Sequence, residues 1–540
     1  NIAAEGTAAE LQSRQAPYLC WRCQLRICQP DFTQLMSDIA AASSKDSQLG
    51  GDSQEAKRVK LNGDSPACTS TEVCSACLGI LATLDRLDSD VCDLIANAVA
   101  ASGHSFTACR LLVSSPIVCL IRDHAWQLAK AEQHSVEKIK EAPISAKDLW
   151  KALARQAIER RLLSDGGQQT RGDVETIPLQ LALEFRYADD ASESDVCLRR
   201  LSSGGGGGGS TRHGAASALA SVSAEAFKAA LPCPPAPASG PVKLIVAEVS
   251  KELMFVGGRY RKLCRRLPQT PWILDGERRM DTSVEELISP AIVRLAKADS
   301  ASFASAGRED VDVRMLGRGR PFLLRLLNPR VARLTAAETA ALQAEINAAD
   351  DRVQVSHLCQ VNRAHCEALR AGESEKVKCY SALCRCTGGP PITAEDAGKL
   401  SGLAASGLVL EQSTPVRVLH RRTVAVRKRR ILSLNLEPLP PDAADAGRLF
   451  RLRLRTEAGA YVKEFVHGDL GRTRPSLGEL LGEGRQCDLL LLDVVDVELD
   501  WPHVGGDAAA ESKADLKADP DADLKADPDA DLKVDPVVDL

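Results

Sequence analysis

Residues 305–321 concentrate side chains that could do chemistry. Within this segment, Asp310 and Asp312 are flanked by Arg308 and Arg314, and three glycines permit tight turns and close approach of the backbone. Arginine can hold phosphate in a planar two-pronged grip, and its charge keeps a neighbouring carboxylate ionised. An ionised aspartate among phosphate-binding arginines can act as a nucleophile or general base on a nucleic acid. The spacing also suits an exposed strand with solvated charges, and spacing alone favours that second interpretation.

A series of unusual motifs continues on both sides of this segment and together covers residues 245–502. The motifs are Gly257-Gly-Arg-Tyr-Arg-Lys-Leu, Leu267-Pro-Gln-Thr-Pro-Trp-Ile-Leu-Asp-Gly-Glu-Arg, Gly307-Arg-Glu-Asp-Val-Asp-Val-Arg, Lys378-Cys-Tyr-Ser-Ala-Leu, Val418-Leu-His-Arg-Arg and Gly459-Ala-Tyr-Val-Lys-Glu-Phe-Val-His-Gly-Asp-Leu-Gly-Arg-Thr. The series resembles the archaeal and eukaryotic tRNA pseudouridine synthases of the "Pus ten" family. The resemblance implies an isomerase (an intramolecular transferase) that converts uridine 54, uridine 55 or both to pseudouridine in the tRNA T-arm loop.

The resemblance also assigns roles to individual residues. Asp310 falls at the catalytic aspartate, and Lys463 falls at a cation that pairs with this aspartate. Tyr380 falls at an aromatic residue that would stack on the extruded uracil. Without the resemblance, Lys463 would be interpreted as a surface lysine and Tyr380 as a core residue of a strand. Catalysis is expected to need no cofactor, and the choice between a nucleophile and a base mechanism stays open.

Several basic residues are predicted to contact RNA phosphate. The predicted set is Arg308, Arg314, Arg320, Arg421 and Arg422. Residues 259–266 hold five arginines or lysines around Tyr260, a composition typical of a loop that contacts nucleic acid. For residues 421–422, a solvated strand is as well supported as RNA contact. The alternative function is a non-catalytic RNA-binding or processing factor on the same fold.

Two Cys-x-x-Cys pairs occur near the N-terminus, Cys20 with Cys23 and Cys74 with Cys77. Two such pairs can supply four thiolates to one tetrahedral zinc ion. The 50 residues between the pairs exceed the length found in a compact zinc ribbon, so unrelated thiols are the alternative. The resemblance implies a zinc-binding module of four cysteines at this place, and we therefore expect structural zinc.

Composition and periodicity divide the chain into four parts. Residues 1–198 mix helical and strand patterns and form an α/β accessory domain, which the resemblance identifies as zinc-containing, THUMP-like and RNA-binding. Residues 199–241 form a flexible Gly/Pro-rich connector, and residues 503–540 form a disordered acidic repeat tail. Residues 242–502 alternate strands and helices without βαβ regularity. The fold class is α+β, with a mixed or antiparallel sheet at the core of the pseudouridine synthase domain.

Charge and hydropathy restrict the partners. The net charge is −5, but residues 241–500 carry +6, as RNA binding favours. No apolar run approaches the length that crosses a membrane, and no secretory signal is recognisable. We expect a monomer that binds the T-arm and acceptor stem of tRNA, with other structured RNA left open. A basic cluster at residues 56–61 suits nuclear import, so the expected location is the nucleus, the cytoplasm or both.

Overall fold

The structure is a computed structural model that describes residues 17–29, 31–47, 72–134, 143–164, 177–201, 211–371, 376–419, 422–439 and 448–502. The basic cluster at 56–61, the glycine run at 204–209 and the tail at 503–540 lie outside these ranges. The chain divides into two compact units, Asn1–Lys251 and Glu252–Leu540. Among the described helices, none combines the length and the apolar character that a membrane span requires.

The first unit surrounds a small sheet with helices. Its helices are α1 (Trp21–Cys28), α2 (Phe32–Ser47), α3 (Cys92–Ser102), α4 (Val118–His134), α5 (Ala146–Ser164), α6 (Asp190–Leu201), α7 (Arg212–Ser221) and α8 (Ala224–Ala230). Its strands are β1 (Cys109–Ser114), β2 (Leu179–Arg186) and β3 (Lys243–Lys251). β2 is central, parallel to β1 and antiparallel to β3. Trp150 of α5 packs edge-on against Phe185 of β2, with ring centroids 5.2 Å apart, in the core between helix and sheet.

Two predicted boundaries in this region need correction. Strand β3 was expected to open the catalytic domain at residue 242, but it pairs with β2 and completes the sheet of the first unit. Part of the expected flexible connector, residues 211–241, contains α7 and α8, of which the sequence predicts only a helix around residues 223–231. Phe227 of α8 is fully buried in a cluster with Ile121 of α4. Pairing and packing partners decide both points, and composition does not reveal them.

The second unit is built on one large sheet. Its strands are β4 (Met254–Lys262), β5 (Ile273–Leu274), β6 (Glu277–Arg278), β7 (Ser300–Ser305), β8 (Arg314–Leu327), β9 (Val353–Val361), β10 (Lys378–Cys386), β11 (Leu408–Ser413), β12 (Val426–Pro438), β13 (Leu449–Thr456), β14 (Thr473–Arg474) and β15 (Cys487–Val497). Its helices are α9 (Val284–Ala296), α10 (Ala336–Ala349), α11 (Arg363–Ala371), α12 (Ala394–Ala405), α13 (Val462–His467) and α14 (Leu477–Leu481).

The ten-stranded sheet has the order β14-β11-β12-β13-β10-β15-β8-β4-β9, and β7 pairs with β8 beside this path. Its pairs are antiparallel except β15 with β8, which is parallel. The prediction of mixed helices and strands around a mixed sheet is therefore confirmed. Most neighbours in the sheet are distant in sequence, so the sheet brings separate motifs together.

The arginine- and glycine-rich segment is largely a strand rather than a loop. Its second half is the start of β8, between β4 and β15. Gly317 has a φ of +58°, and a Cβ at this position would lie 1.9 Å from the carbonyl oxygen of Val495. Gly319 has a φ of +77°, and its Cβ would lie 2.7 Å from the carbonyl oxygen of Tyr260. Only glycine permits both this backbone conformation and this close approach.

The Ser/Thr-x-x-Glu patterns at Ser283 and Thr335 predict two helix starts, and both are present. Thr335 caps α10, and its side chain and that of Glu338 form the reciprocal capping box. Ser283 caps α9 by accepting a hydrogen bond from the backbone N–H of Glu286. A proline inside a helix usually kinks or ends it, yet α9 continues through Pro290 to Ala296.

Candidate active site and candidate metal centre

Asp310 lies in the loop between β7 and β8, and the residue before it anchors this loop in the core. Glu309 is buried, and its carboxylate pairs with Arg320 at 2.6 Å and accepts a hydrogen bond from the hydroxyl of Tyr260 at 2.8 Å. Burial acts against the charge of Arg320, but Glu309 outweighs it and raises the Arg320 pKa. Gln269 donates to the Tyr260 hydroxyl and to the Gly307 carbonyl. An ion pair and several hydrogen bonds inside the protein therefore hold this loop in place.

Two further cations hold the loop by its backbone. Lys262 is fully buried, and its ammonium donates to the carbonyl oxygens of Asp310 and Val311, both at 3.0 Å. Burial lowers the pKa of Lys262. Arg265 donates to the carbonyl oxygen of Asp312 at 2.9 Å. Lys262 and Arg265 thus fix the backbone around Asp310. The position of its carboxylate depends in addition on the contacts of the side chain.

This arrangement corrects the predicted RNA-contacting loop at residues 259–266. The first half of the segment, residues 259–262, belongs to strand β4, where Arg259, Tyr260 and Lys262 are buried. Arg259 donates to five backbone carbonyls, those of residues 318, 319, 497, 499 and 501. Arg259 and Lys262 bind the protein's own backbone and are not accessible to RNA, whereas Arg266 is exposed.

The Asp310 side chain is 31% exposed and contacts two cations from the α13 side of the sheet. Lys463 approaches its Oδ2 atom at 3.4 Å, as the motif comparison suggested, but binds Asp312 more closely at 2.7 Å. Arg417 approaches the same Oδ2 atom at 2.6 Å and also pairs with buried Glu464 at 2.8 Å. The structure therefore brings together two cations and two aspartates that reach solvent, Asp310 and the more exposed Asp312.

Arg417 and Glu464 were missed by sequence reasoning. Arg417 lies in a short 3-10 helix, Val416–Val418, directly before the quoted Val418-Leu-His-Arg-Arg motif. In sequence, it does not differ from the many other arginines in this half of the chain. Glu464 directly follows Lys463 in the sequence, and nothing in this Lys-Glu pair indicates that the glutamate side chain is buried.

Side-chain bonds to the backbone set the positions of these two segments. Gln412 of β11 exchanges two 2.9 Å hydrogen bonds with the backbone of Tyr461, which immediately precedes α13. Arg472 donates to the carbonyl oxygen of Thr414, just before the 3-10 helix of Arg417. α13 and the 3-10 helix are thereby joined to the same end of β11.

Tyr380 lies on β10 between β13 and β15 and is 9% exposed. Burial raises the pKa of Tyr380 to about 12; of the smaller contributions, Arg320 lowers it and Asp310 raises it. Tyr380 is a core strand residue with a narrow exposed part, which is the only part that a base could stack on.

The predicted phosphate-binding arginines separate into two groups. Arg314 is buried and donates two hydrogen bonds to Asp493, at 2.9 and 3.0 Å, and Arg320 is 1% exposed beside Glu309. Neither is available to a phosphate, so the structure contradicts these two assignments. Arg308 and Arg422 are exposed. Arg421 lies outside the described residues.

The four predicted metal ligands come together in the first unit. The sulfur atoms of Cys20, Cys23, Cys74 and Cys77 all lie within 4.8 Å of one another, and all but Cys20 are buried. A tetrahedral zinc ion with Zn–S bonds of about 2.3 Å separates its sulfurs by about 3.8 Å. The Cys20 and Cys77 sulfurs are 4.0 Å apart, which fits this arrangement. The cluster could hold a metal ion.

Comparisons with known proteins identify the class and the family. Residues 74–249 match the family model "Eukaryotic Pus10, N-terminal", and residues 255–498 match "Pus10, C-terminal". A Mus musculus protein named tRNA pseudouridine synthase Pus10 is 38% identical over 438 residues, or 80% of this chain and 79% of that protein. A Homo sapiens protein of the same name is 36% identical over 444 residues, or 80% of each.

A shorter relative, from Thermofilum pendens and of the same name, is 39% identical over 247 residues, or 45% of this chain and 52% of that protein. A solved structure of a Cbf5-Nop10-Gar1 complex aligns with 44% of this chain and with 48% of its own chain, at 17% sequence identity and a TM-score of 0.24. The matching relatives are tRNA pseudouridine synthases, which are isomerases. The chain belongs to the Pus10 family of these enzymes, which confirms the resemblance seen in the motifs.

Proposed function

We propose that this protein isomerises uridine to pseudouridine in the tRNA T-arm loop, at position 54, position 55 or both, with Asp310 as the catalytic residue. One observation carries the assignment of the residue. The backbone around Asp310 is held by the buried ammonium of Lys262, while the carboxylate itself reaches solvent between Arg417 and Lys463. Such firm support of the backbone beneath an acid that reaches solvent is what a catalytic group requires.

The reaction breaks the bond between N1 and C1′ of uridine and joins C1′ to C5 of the same base. C5 loses a proton and N1 gains one, so the atoms balance without an oxidant, a reductant or a second substrate. An oxygen of Asp310 serves as the nucleophile or the base. Both roles need the anionic carboxylate, whose charge Arg417 and Lys463 stabilise. In this proposal, the exposed part of Tyr380 stacks on the uracil.

The RNA substrate is proposed on charge and family membership. A stacked T-loop uridine must be extruded, at a cost of a few kcal/mol, before the carboxylate can reach it. The exposed Arg308 and Arg422, with Arg421, are proposed to bind the surrounding phosphates. A THUMP-like first unit is proposed to bind the acceptor stem. The monomeric state, other structured RNA substrates and location in the nucleus or cytoplasm belong to the same proposal.

The experiment that tests this function maps pseudouridine, residue by residue, in tRNA transcripts incubated with the full chain. Asp310→Asn keeps the side-chain size and removes the charge, so pseudouridine formation should stop while tRNA affinity is retained. Asp351→Asn, at an exposed aspartate in the same unit, is the matched control. If the wild-type chain binds tRNA but modifies none of the T-arm transcripts, it is instead a non-catalytic RNA-binding factor.

We further propose that the four-cysteine cluster holds structural zinc, which takes no part in the isomerisation. Zinc would join the N-terminus of α1 to the turn at residues 74–77. More than 50 residues of chain separate these two segments. Cys74→Ser should therefore lower the bound zinc below one ion per chain and reduce the thermal stability of the first unit. Cys28→Ser, at an exposed thiol outside the cluster, should change neither quantity. Equal zinc content in the two variants would exclude this site.

A further inference from the structure

The two cations beside Asp310 use only one of its carboxylate oxygens. Arg417 Nη1 lies 2.6 Å from Oδ2, and Lys463 Nζ lies 3.4 Å from the same atom. Within the part of the chain that the structure describes, Oδ1 has no hydrogen-bond or ion-pair partner. The carboxylate is thus held at one oxygen and open at the other.

The orientation of Arg417 is set by a buried partner. Glu464 is 4% exposed, and it accepts hydrogen bonds from Arg417 Nε at 2.8 Å and from Nη2 at 3.3 Å. A guanidinium carries its donors in a rigid planar fork, so fixing the Nε–Nη2 edge directs Nη1. Burial acts against the charge of Arg417, but Glu464 and Asp310 outweigh it and raise the Arg417 pKa. Nη1 is directed at Asp310 Oδ2.

α13 contributes to both contacts. Lys463 and Glu464 are neighbours at its start, and Lys463 contacts Asp310 directly while Glu464 does so through Arg417. Gln412 ties the start of α13 to β11, and the 3-10 helix of Arg417 follows β11 in the chain, so both segments are held at the same end of this strand. The contacts of Asp310 therefore depend on the two segments at this end of β11.

We propose that Glu464 and Arg417 are positioning residues which, together with Lys463, hold Asp310 by Oδ2 and present Oδ1 to the nucleoside. This inference rests on the proposed function of Asp310. It makes Oδ1 the oxygen that attacks the nucleoside or takes its proton. It also separates Arg417 from the phosphate-binding arginines, since its donors are committed to carboxylates of the protein.

The test uses the full chain and a T-arm stem-loop transcript, with the single-turnover rate constant and the RNA dissociation constant measured separately. Arg417→Ala should lower the rate constant about a hundredfold, the scale expected when a catalytic group shifts by about 1 Å. The dissociation constant should change by less than about threefold, since no RNA contact is lost. Arg363→Ala, at a side chain that is 89% exposed on α11, is the control for losing one surface cation.

Two additional measurements separate positioning from folding. Arg417→Ala leaves the buried carboxylate of Glu464 without its partner, and an unpaired buried charge destabilises the folded state. The double variant Arg417→Ala/Glu464→Gln removes this charge and so preserves the fold. Because Glu464 acts through Arg417, the double variant should be no slower than Arg417→Ala. Millimolar guanidinium should restore part of the rate of Arg417→Ala, because the vacated site is accessible to solvent (Arg417 is 37% exposed), and a purely structural loss would not respond.

The outcomes are distinct. A wild-type chain that forms no pseudouridine ends both this inference and the proposed function. An active wild type with an equally active Arg417→Ala ends this inference alone. A variant that loses RNA affinity as strongly as rate would show that Arg417 binds phosphate, and this too overturns the inference. Rate loss at constant affinity with guanidinium rescue supports it.

Discussion

Replacing Lys262 with methionine tests the rigid support of Asp310 most directly. Methionine has a similar volume, so no cavity forms and only the ammonium is lost. The ammonium donates to three carbonyl oxygens, those of Leu267, Asp310 and Val311. The Asp310 carbonyl keeps the backbone N–H of Val313 as a donor, at 3.1 Å. Among the residues that the structure describes, the carbonyls of Leu267 and Val311 are therefore the two that lose their hydrogen-bond donor without a replacement.

The magnitude follows from these losses. Each buried carbonyl left unsatisfied costs about 1–3 kcal/mol. Burial lowers the Lys262 pKa, which means that the buried ammonium itself is costly, and its removal offsets part of the loss. A net destabilisation of about 2–4 kcal/mol remains, concentrated in residues 307–313. If it appears as local opening, amide exchange there should accelerate about 30-fold to several hundredfold.

The assay is hydrogen exchange followed by mass spectrometry, combined with single-turnover pseudouridine formation. Lys262→Met should accelerate exchange at 307–313, leave peptides of the first unit unchanged, and lower the rate about a hundredfold. Lys297→Met, at an exposed lysine after α9, is the matched control. Unchanged exchange and unchanged rate in Lys262→Met would refute the claim that this buried cation supports the catalytic loop.

Two further predictions concern neighbouring elements. Gly317→Ala should destabilise the protein by about 3 kcal/mol or more in urea unfolding, because its Cβ would meet the Val495 carbonyl at a positive φ. A Cβ at Gly402 in α12 would meet open space, so Gly402→Ala should stabilise the protein by about 0.5–1 kcal/mol. Equal effects of the two substitutions on the free energy of unfolding would contradict this geometry. Burial acts to raise the pKa of Asp312, but Lys463 outweighs it and lowers the pKa. The stability advantage of the wild type over Lys463→Met should therefore be present above pH about 3.9 and be lost as the pH falls through the lower folded-state pKa; an advantage that persists in strong acid would contradict this.

Local patterns predicted local structure well. The Thr335 capping box starts α10, and the Cys-x-x-Cys spacing brings each cysteine pair within reach of one ion. Both features depend on residues a few positions apart, where the geometry of a turn or helix start decides the contact. The glycines of the Gly317 and Gly319 region were recognised as sites of close approach, although the partner strands were not.

Composition did not predict which charged residues face inward. The arginines and lysines of residues 259–266 and 314–320 were assigned to RNA because basic residues usually lie in water. Arg259 instead binds five backbone carbonyls, and Arg320 binds Glu309 in the core. A buried arginine needs partners from several strands, and those partners are known only once the strands are paired.

By itself, the sequence determined the family, the types of the main helices and strands, the likeness of Asp310 to a catalytic aspartate, and the four cysteines. Only the tertiary structure decided which cations reach Asp310. Arg417 is 107 positions away in the chain, and its 2.6 Å contact exists because β11 and α13 are joined at one end of the sheet. Such a contact depends on strand order, and strand order is a property of the whole sheet that no segment of sequence carries.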